Sequence, residues 1–401
     1  MDLVFVLIIF LIIVILMRFG RKLQEAMSIA IFVGLILFRV PVKDGVRIIL
    51  KGAFSMSTIY LLLAFYSITF LQRMMEKRGL LILAEKSLIE LFHSRRINAM
   101  FAPFTIGLLP SPGAVLIAAP IVNNAAGDFL DREEKTFVTT YYRHISEAFV
   151  PTYASILLAL QLSGVNMTAF VVLMLPLVAA LFWLGYIFYV KKIPKNKKVE
   201  NDGSKIKYIK NLFYSIWPIL LAIILILSLK TQVVIAVIPV IIIAVYIYKF
   251  DFKELLPFFK TAFEPNIMLT TIVIMILKEL LSYTGVIVKL PELFANFSIH
   301  PTIIYAIIFF IGTIIAGSKT MVAIIIPLAF ASSLNAGVGE LVLYMAISYI
   351  AMQISPTHIC LAIILEENKT SFSSLIAKTM PVLISFIAIT IFYSYILIKV
   401  F

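Results

Sequence analysis

Apolar runs long enough to cross a lipid bilayer recur along the whole 401-residue chain. Hydrophobic residues make up 62% of the sequence and charged residues 14%, whereas soluble domains carry about 45–50% and about 25% respectively. In hydrocarbon every backbone N–H and C=O group must be satisfied within the protein, so spanning segments of this length fold as helices. The sequence therefore predicts an all-α polytopic membrane protein.

Two of these runs contain residues that end helices. Residues 109–114 read Leu-Pro-Ser-Pro-Gly-Ala within the run 98–126, and residues 317–320 read Gly-Ser-Lys-Thr within the run 301–334. A helix that breaks in lipid exposes backbone groups at several kcal/mol each, unless protein or a water-filled cavity receives them. We therefore predict two re-entrant hairpins whose tips meet at a transport site.

The two halves of the chain repeat one another. Residues 111–120 align without gaps on residues 318–327 at an offset of 207, and the interruptions at Pro151 and Pro356 align at an offset of 205. Five full crossings and one hairpin in each half would turn the second half upside down, which is the inverted repeat of many secondary transporters. The predicted parts are a first repeat at 1–190 with a broken span at 136–162, a linker at 191–210, and a second repeat at 211–401 with a broken span at 340–365.

The distribution of basic residues predicts the topology. Residues 191–210 carry eight lysines and read as a solvated linker, which we assign to the cytoplasm of a cell (inner) membrane protein. The loops 18–22, 73–97 and 249–262 then lie on the same side, and both termini lie outside. One basic outer loop disagrees with this orientation; it contains Arg39, Lys43, Arg47 and Lys51. We keep this orientation because the positive charge of the linker outweighs that of the outer loop.

Other patterns exclude several classes of protein. The net charge of +13 lies mainly in short loops between spans, so we expect the lipid bilayer and no nucleic acid as a partner. The first apolar run has no basic region before it and is expected to be a retained span. No nucleotide loop, dinucleotide motif or His-Glu-x-x-His pattern occurs, so we expect no cofactor and no metal.

Segments 79–92 and 285–297 are expected to be amphipathic helices near an interface. A homodimer is a candidate assembly.

The hairpin tips are the first candidates for binding. A half-helix that begins at Ser111 or Ser318 points free N–H groups and the positive end of its dipole at a ligand, which favours an anion. The hydroxyl groups and exposed carbonyls at the tips could instead coordinate sodium, and kinks between packed helices are the structural alternative. The predicted substrate-binding residues are Ser111, Pro112, Gly113, Ser318, Lys319, Thr320, Thr152 and Thr357.

The interrupted spans supply candidates for ion coupling. Each proline removes a backbone donor and frees a carbonyl one turn earlier, which offers oxygens to a cation. A neutral imidazole titrates near pH 7, so His358 is a candidate proton carrier, although a structural role is also open. The predicted ion-coupling residues are Ser355, Thr357, His358 and Ser111, with Na⁺ or H⁺ as the coupling ion.

Charged residues within the apolar runs need a partner or water. A lysine at the bilayer centre costs about 2.5–3.5 kcal/mol on insertion scales. Lys319 could therefore hold an anionic substrate, replace one bound sodium ion, or extend to an interface.

A second group of charges lies in the broken span of the first half. Arg143, His144 and Glu147 are expected about two turns into that span, where Arg143 and Glu147 can pair. They form either an interfacial ion pair or a gating or proton-relay site. Lys278 and Glu279 are expected to pair near the outer surface, and Cys360 to serve in packing.

The order of hairpin, interrupted span and linker resembles the ion-transporter superfamily of secondary carriers, which includes gluconate, citrate, dicarboxylate and arsenite carriers. Within it, four segments look like the family of unknown function numbered 401: residues 109–114, Ala-Pro at 119–120, Tyr-Arg-His-Ile at 142–145 and Ser-Pro-Thr-His at 355–358. The resemblance implies a scaffold region and a transport region. It places ligand and coupling ion between the two tips and the two broken helices. The carboxylate carriers of that superfamily have Ser-Asn-Thr at their tips, where this chain has Ser-Pro-Gly and Ser-Lys-Thr.

The expected function is ion-coupled secondary transport of a small, anionic organic solute by alternating access, and not an enzymatic activity. Sodium/proton antiport is the alternative within transport. An intramembrane enzyme that acts on a lipid or phosphate ester is the alternative from another class. Such an enzyme would need Arg143, His144 and Glu147 to converge with a nucleophile, and we expect these three residues to lie apart from both tips.

Overall fold

The computed structural model describes residues 2–91, 94–108, 114–194, 205–229, 231–286, 300–332, 336–356 and 358–400. Within these ranges the chain forms helices and no strand, so the predicted all-α class is confirmed. Five helices, counting the bent pair Val42–Lys77 as one, are long and apolar enough to cross a membrane. Shorter apolar helices lie between them. The chain is therefore a helical membrane protein.

Short turns connect most of the helices. Those of the first half are α1 (Asp2–Arg18), α2 (Leu23–Leu37), α3 (Val42–Phe54), α4 (Met56–Lys77), α5 (Leu80–Leu91), α6 (Arg95–Gly107), α7 (Ala114–Ala126), α8 (Arg132–His144), α9 (Ala154–Ser163) and α10 (Met167–Phe188). Those of the second half are α11 (Lys205–Leu229), α12 (Val233–Ile247), α13 (Phe252–Thr261), α14 (Pro265–Tyr283), α15 (Pro301–Ala316), α16 (Ser318–Ser332), α17 (Val338–Met352), α18 (Ile359–Glu367) and α19 (Phe372–Val400).

The two broken runs form two pairs of packed helices. The helices α6 and α7 pack against each other, and so do α15 and α16. Gly317 alone separates α15 from α16, with φ at 84° and ψ at 157°. No atom lies within 4 Å of the place where a Cβ of this residue would be. The positive φ, and not a lack of space, is what favours glycine at this turn.

Both interrupted spans are broken as expected, but the first break is longer than the proline alone predicts. The helix α8 already ends at His144, a 3-10 turn follows at Ile145–Ala148, and α9 begins only at Ala154. The break therefore begins before Pro151 and includes it. In the second half, α17 ends at Met352 and α18 begins at Ile359.

Helices of the two halves meet at these breaks. The second helix of each pair packs against the far piece of the other half's interrupted span: α7 contacts α18, and α16 contacts α9. The same regions also contact the interrupted span of their own half, through α6 with α8 and α15 with α17. The broken segments of both halves are thereby brought to one place in the molecule.

The structure forms a helix where the sequence predicted a basic outer loop. The helix α3 includes Lys43, Arg47 and Lys51, so the loop prediction is wrong for these residues. Their spacing of four places them on one exposed face of the helix. Ile48 and Gly52 lie on the opposite, buried face, which packs against α14. The prediction failed because the charged residues on the exposed face of α3 obscure the apolar residues on its buried face in the sequence.

The predicted pair between Lys278 and Glu279 is also wrong. Consecutive residues on a helix point in different directions, so their side chains reach different partners. Lys51 Nζ lies 2.5 Å from Glu279 Oε1, and Lys278 Nζ lies 3.5 Å from the carbonyl oxygen of Gln161.

Two further segments differ from the expectation of loops. Residues 252–261 form the helix α13, whose start is capped by Asp251 together with Glu254. The end of the predicted linker is also helical, because α11 begins at Lys205. Residues 195–204 of the linker and 287–299 of the second amphipathic segment lie outside the described residues. The first of the two segments predicted to be amphipathic forms the helix α5, which packs against α11.

An ionic network fixes the start of α8, the helix that leads to the first break. Asp131 caps α8 and lies 2.7 Å from Lys378 Nζ. Glu134 completes the capping box and lies 2.6 Å from Lys192 Nζ. Burial alone would raise the pKa of Asp131, but hydrogen bonds from Lys378 and from the backbone of Glu134 outweigh it and lower that pKa. This contribution to stability is therefore present at neutral pH and is lost as the pH falls through the lowered pKa.

The close packing of α3 on α14 gives a test of the fold. A Cβ on Gly52 would lie 2.6 Å from Ile276 Cα, whereas a Cβ on Gly45 would lie 3.6 Å from the nearest Leu35 atom. We expect Gly52→Ala to destabilise the protein by about 1–3 kcal/mol, because backbone must move. The control Gly45→Ala should be neutral or stabilising, since alanine favours a helix over glycine by about 1 kcal/mol. Thermal unfolding in detergent measures both, and equal midpoints would contradict this packing.

Candidate functional site

A cavity of about 420 Å³ lies where α16 and the two interrupted spans meet. Both halves of the chain contribute to its lining. The polar and charged residues that matter most for its chemistry are Arg143, Glu147 and Thr152 from the first half, and Lys319, His358 and Cys360 from the second. The structure therefore assembles in one cavity residues that the sequence assigned to separate roles.

The cavity extends towards one end of the helices. Its lining includes Met17 at the end of α1, Leu23 at the start of α2, Gln72 near the end of α4, and Glu264 just before α14. These positions lie beside the basic segments 18–22 and 73–78 of the chain. Arg73 joins two of these elements, because its guanidinium lies 3.2 Å from Glu264. The cavity thus reaches the end of the helices where the basic turns lie.

The tip between α15 and α16 forms one wall of the cavity. Ser318 is the first residue of α16, as predicted, and its Oγ lies 2.6 Å from Ser348 Oγ on α17. Thr320 is buried and donates a hydrogen bond of 2.7 Å to the Ala316 carbonyl, so this hydroxyl is already used. Lys319 is exposed within the cavity, and no described carboxylate lies within ion-pair distance of it. A helix N-terminus and a lysine therefore present positive charge together.

Part of the predicted site lies outside the described residues. This applies to Ser111, Pro112 and Gly113 at the first tip, and to Thr357 in the second break. The flanking helices end at Gly107 and begin at Ala114.

Arg143, His144 and Glu147 lie at the first break and not two turns into a span. Arg143 is 1% exposed and forms an ion pair with Glu147, which confirms the predicted pairing but places it in the protein interior. Arg143 and Glu147 line the same cavity as Ser318 and Lys319. The expectation that these residues lie apart from both tips is therefore wrong. The early end of α8 is the reason, since it turns them towards the second tip.

Two histidines meet behind this ion pair. His144 Nε2 lies 2.9 Å from His358 Nε2, and His144 Nδ1 lies 2.6 Å from the carbonyl oxygen of Thr140. Glu147 and Cys360 are close to both rings, with one donor atom of each of the four residues within 4.8 Å of the others. Cys360 was expected to serve only in packing, but it is part of this cluster and lines the cavity.

The remaining predicted residues separate into two roles. Thr152 lines the cavity, and its buried hydroxyl has no hydrogen-bond partner among the described residues. It remains available to a ligand. Ser355 does not line the cavity; its Oγ donates a hydrogen bond of 2.9 Å to the Ile314 carbonyl oxygen. Ser355 therefore supports the end of α15 through the protein backbone.

Hydroxyl groups satisfy the helix ends at both tips. The Gly107 carbonyl, at the end of α6, accepts hydrogen bonds from Ser146 at 2.5 Å and from Tyr153. The Ile314 carbonyl near the end of α15 is satisfied by Ser355 in the corresponding way. The last carbonyls of a helix have no partner within that helix. The breaks thus supply the donors that the helix ends need.

Some lining residues carry no sequence pattern that identifies them. Gln72 lies on α4, Glu264 lies just before α14 and Ser348 lies on α17, and only the packing brings them to the cavity. Cys360 could have been found, because it lies two residues after His358 in an interrupted span.

The two donors to Gly107 give a test of the first break. Ser146→Ala or Tyr153→Phe alone should cost about 0.5–1.5 kcal/mol, because one donor to the buried carbonyl remains. The double variant should cost more than the sum, because it leaves that carbonyl unsatisfied. Thermal or denaturant unfolding in detergent measures the three variants, and Ser385→Ala, which removes an exposed hydroxyl on α19, is the matched control. Strict additivity would contradict the shared acceptor.

The chain was also compared with known proteins. No curated protein matches it. The family described as "Protein of unknown function (DUF401)" matches residues 3–401, which includes every residue of the cavity. The chain belongs to this uncharacterised DUF401 family.

Proposed function

We propose that the protein is an ion-coupled secondary active transporter of a small, anionic organic solute that works by alternating access. The observation that carries this proposal is Lys319, which is exposed in a cavity at the start of α16 without a described carboxylate partner. A lysine in this environment needs a counter-charge or water, and the helix dipole adds to its field. An anion of the size of a small metabolite would supply the counter-charge to Lys319 and would be attracted by the helix dipole.

The arrangement of the helices supports an inverted repeat. Eight described helices of the first half, from α2 onwards and without α5, follow the same order as eight of the second half, from α12 onwards. Contacts between the halves occur in exchanged pairs. The helix α3 packs against α14 as α13 packs against α4, and α2 packs against α14 as α12 packs against α4. Contacts that recur after exchange of the halves are what a two-fold relation produces.

Local backbone conformation supports the same repeat. Gly79 and Gly285 follow the corresponding helices α4 and α14 and have φ values of 61° and 65°. Arg39 and Lys249 follow α2 and α12, and both have a φ of 51° although neither is glycine. Positive φ is uncommon for residues other than glycine, so its recurrence at matching places favours a duplicated structure.

Helix length supports the re-entrant assignment of both pairs. The helices α6 and α7 contain 13 residues each, and α15 and α16 contain 16 and 15. At about 1.5 Å per residue they extend roughly 20–24 Å, less than the hydrocarbon core of about 30 Å. Each helix pair can therefore enter the membrane, turn near its middle and leave on the same side.

The proposed topology makes this conformation open to the cytoplasm. Residues 191–210 lie in the cytoplasm of a cell (inner) membrane protein in this proposal, and both termini lie outside. The lining residues Met17, Leu23 and Gln72 lie beside segments 18–22 and 73–78, which then also face the cytoplasm. Alternating access requires a second conformation in which this end is closed and the opposite end is open.

Two types of coupling ion suit the site. The contact between His144 and His358 places two groups that bind protons at the end of the cavity. The free hydroxyl of Thr152, with backbone carbonyls at the breaks, instead suits sodium. We propose H⁺ or Na⁺ as the coupling ion.

The main test removes the positive charge at the second tip. Lys319→Ala should abolish uptake and solute binding without loss of expression, because the anion loses its principal counter-charge. Ser111→Ala at the first tip should have the same effect. A thermal-shift screen of organic anions, with and without sodium and at two pH values, finds the solute, and uptake into proteoliposomes measures transport. Lys43→Ala, on the exposed face of α3, is the matched control. Full activity of both tip variants would exclude this site assignment.

Sodium/proton antiport is the alternative within transport. It predicts that a sodium gradient alone moves protons across proteoliposomes that contain no organic solute. Quenching of a pH-sensitive dye measures this movement.

One observation favours an intramembrane enzyme as a second candidate. Cys360 offers a nucleophile beside His144 and His358, which supports the convergence that an enzyme needs. Cys360→Ser separates the two functions. Hydrolysis of a lipid or phosphate ester through this thiol should fall by orders of magnitude, whereas transport of an anion held by Lys319 should continue.

A further inference from the structure

We propose that His144, His358, Cys360 and Glu147 form a binding site for a divalent transition-metal ion of the zinc type. This inference does not depend on transport, because it concerns the donor atoms of the cluster alone. The four residues come from two segments about two hundred positions apart, so they form no recognisable metal-binding pattern in the sequence.

The distances within the cluster are close to those of a metal site. One donor atom from each residue lies within 4.8 Å of the others, and the two Nε2 atoms are 2.9 Å apart. Two nitrogens bound to tetrahedral zinc at 2.0–2.1 Å lie about 3.4 Å from each other. The rings therefore need to separate by about half an ångström, and the thiol and carboxylate need to approach, which side-chain rotations can provide.

The hydrogen bond to Thr140 prepares His144 as a ligand. A carbonyl oxygen can only accept, so at 2.6 Å the Nδ1 atom of His144 carries the proton. In the neutral ring Nε2 then has a free lone pair, and this is the atom that faces the cluster. Metal-bound histidines in proteins are typically oriented in this way, by donation of the other ring N–H to a carbonyl or carboxylate.

The mixture of donor atoms favours a metal over a simple pair of histidines. A proton shared between two imidazoles needs neither a thiol nor a carboxylate beside it. Two imidazole nitrogens, one sulfur and one carboxylate oxygen together form a set that zinc accepts. Glu147 has two carboxylate oxygens, so one can remain with Arg143 while the other binds the ion.

The surrounding charges set limits on the affinity. Arg143 and Lys319 are cations near the cluster and oppose a second positive charge, whereas Glu147 and the thiolate of Cys360 offset it. Glu147, His358 and Cys360 line the cavity, and His144 is fully buried behind them. An ion can therefore reach the site from the cavity.

Metal binding to the purified full-length protein tests the proposal. After treatment with a chelator, the wild type in detergent should bind one Zn²⁺ per chain in equilibrium dialysis. Co²⁺ at the same site should give intense tetrahedral absorption and a thiolate-to-metal charge-transfer band. Because Cys360 is the chain's single cysteine, that band reports on this position alone.

Three variants separate this site from incidental binding. His358→Gln and Cys360→Ser should lower the Zn²⁺ affinity at least about tenfold, the range found when even an outer-shell partner of a metal ligand is lost. Cys360→Ser should also abolish the charge-transfer band. His300→Gln is the matched control, because His300 caps the start of α15 and lies outside the cavity. Size-exclusion profiles and thermal midpoints verify that each variant is folded.

Two results would overturn the proposal. The first is the absence of saturable Zn²⁺ binding to the wild type, which would leave the imidazoles as a hydrogen-bonded pair. The second is equal affinity in the wild type and in both ligand variants, which would place the bound ion elsewhere. Because the test uses no transport assay, its failure leaves the proposed transport function open, and failure of transport leaves the metal site open.

Discussion

The need to satisfy every backbone polar group inside the bilayer is the constraint on which the rest of this structure depends. Four helices stop within apolar runs, and each stop exposes carbonyl or N–H groups. Hydroxyl groups in the neighbouring breaks donate hydrogen bonds to carbonyl oxygens at two of these ends. Ser146 and Tyr153 donate to Gly107, and Ser355 donates to Ile314. The breaks are therefore stable because they occur together. A single interrupted helix in the same lipid environment would have no such partner.

The same requirement explains why the chemistry is concentrated in one cavity. Unwinding at residues 145–153 turns Arg143 and Glu147 towards the start of α16, where Lys319 extends into open space. The second break carries His358 to His144. Charged and titratable groups are expensive in hydrocarbon, and here they share a single polar region. Their mutual proximity lowers the cost of each one.

Much of the fold could be predicted from sequence because apolar length and helix-breaking residues act locally. The start of α16 at Ser318 and the breaks near Pro151 and Pro356 are examples. The helix α3 could not be recognised, since Lys43, Arg47 and Lys51 on its exposed face hid a buried stripe that only α14 makes favourable. The cluster around His144 and Cys360 could not be predicted either. It depends on where α8 ends, and just beyond that end Ser146 donates a hydrogen bond to the distant Gly107 carbonyl.

The turn at Gly317 combines free space with a backbone conformation that side chains of L-amino acids rarely adopt. The constraint on this position is thus chirality and not volume. Among the twenty encoded amino acids only the achiral one adopts this conformation at no cost, so this bend of the second tip leaves natural variation almost no alternative, although there is open space beside it.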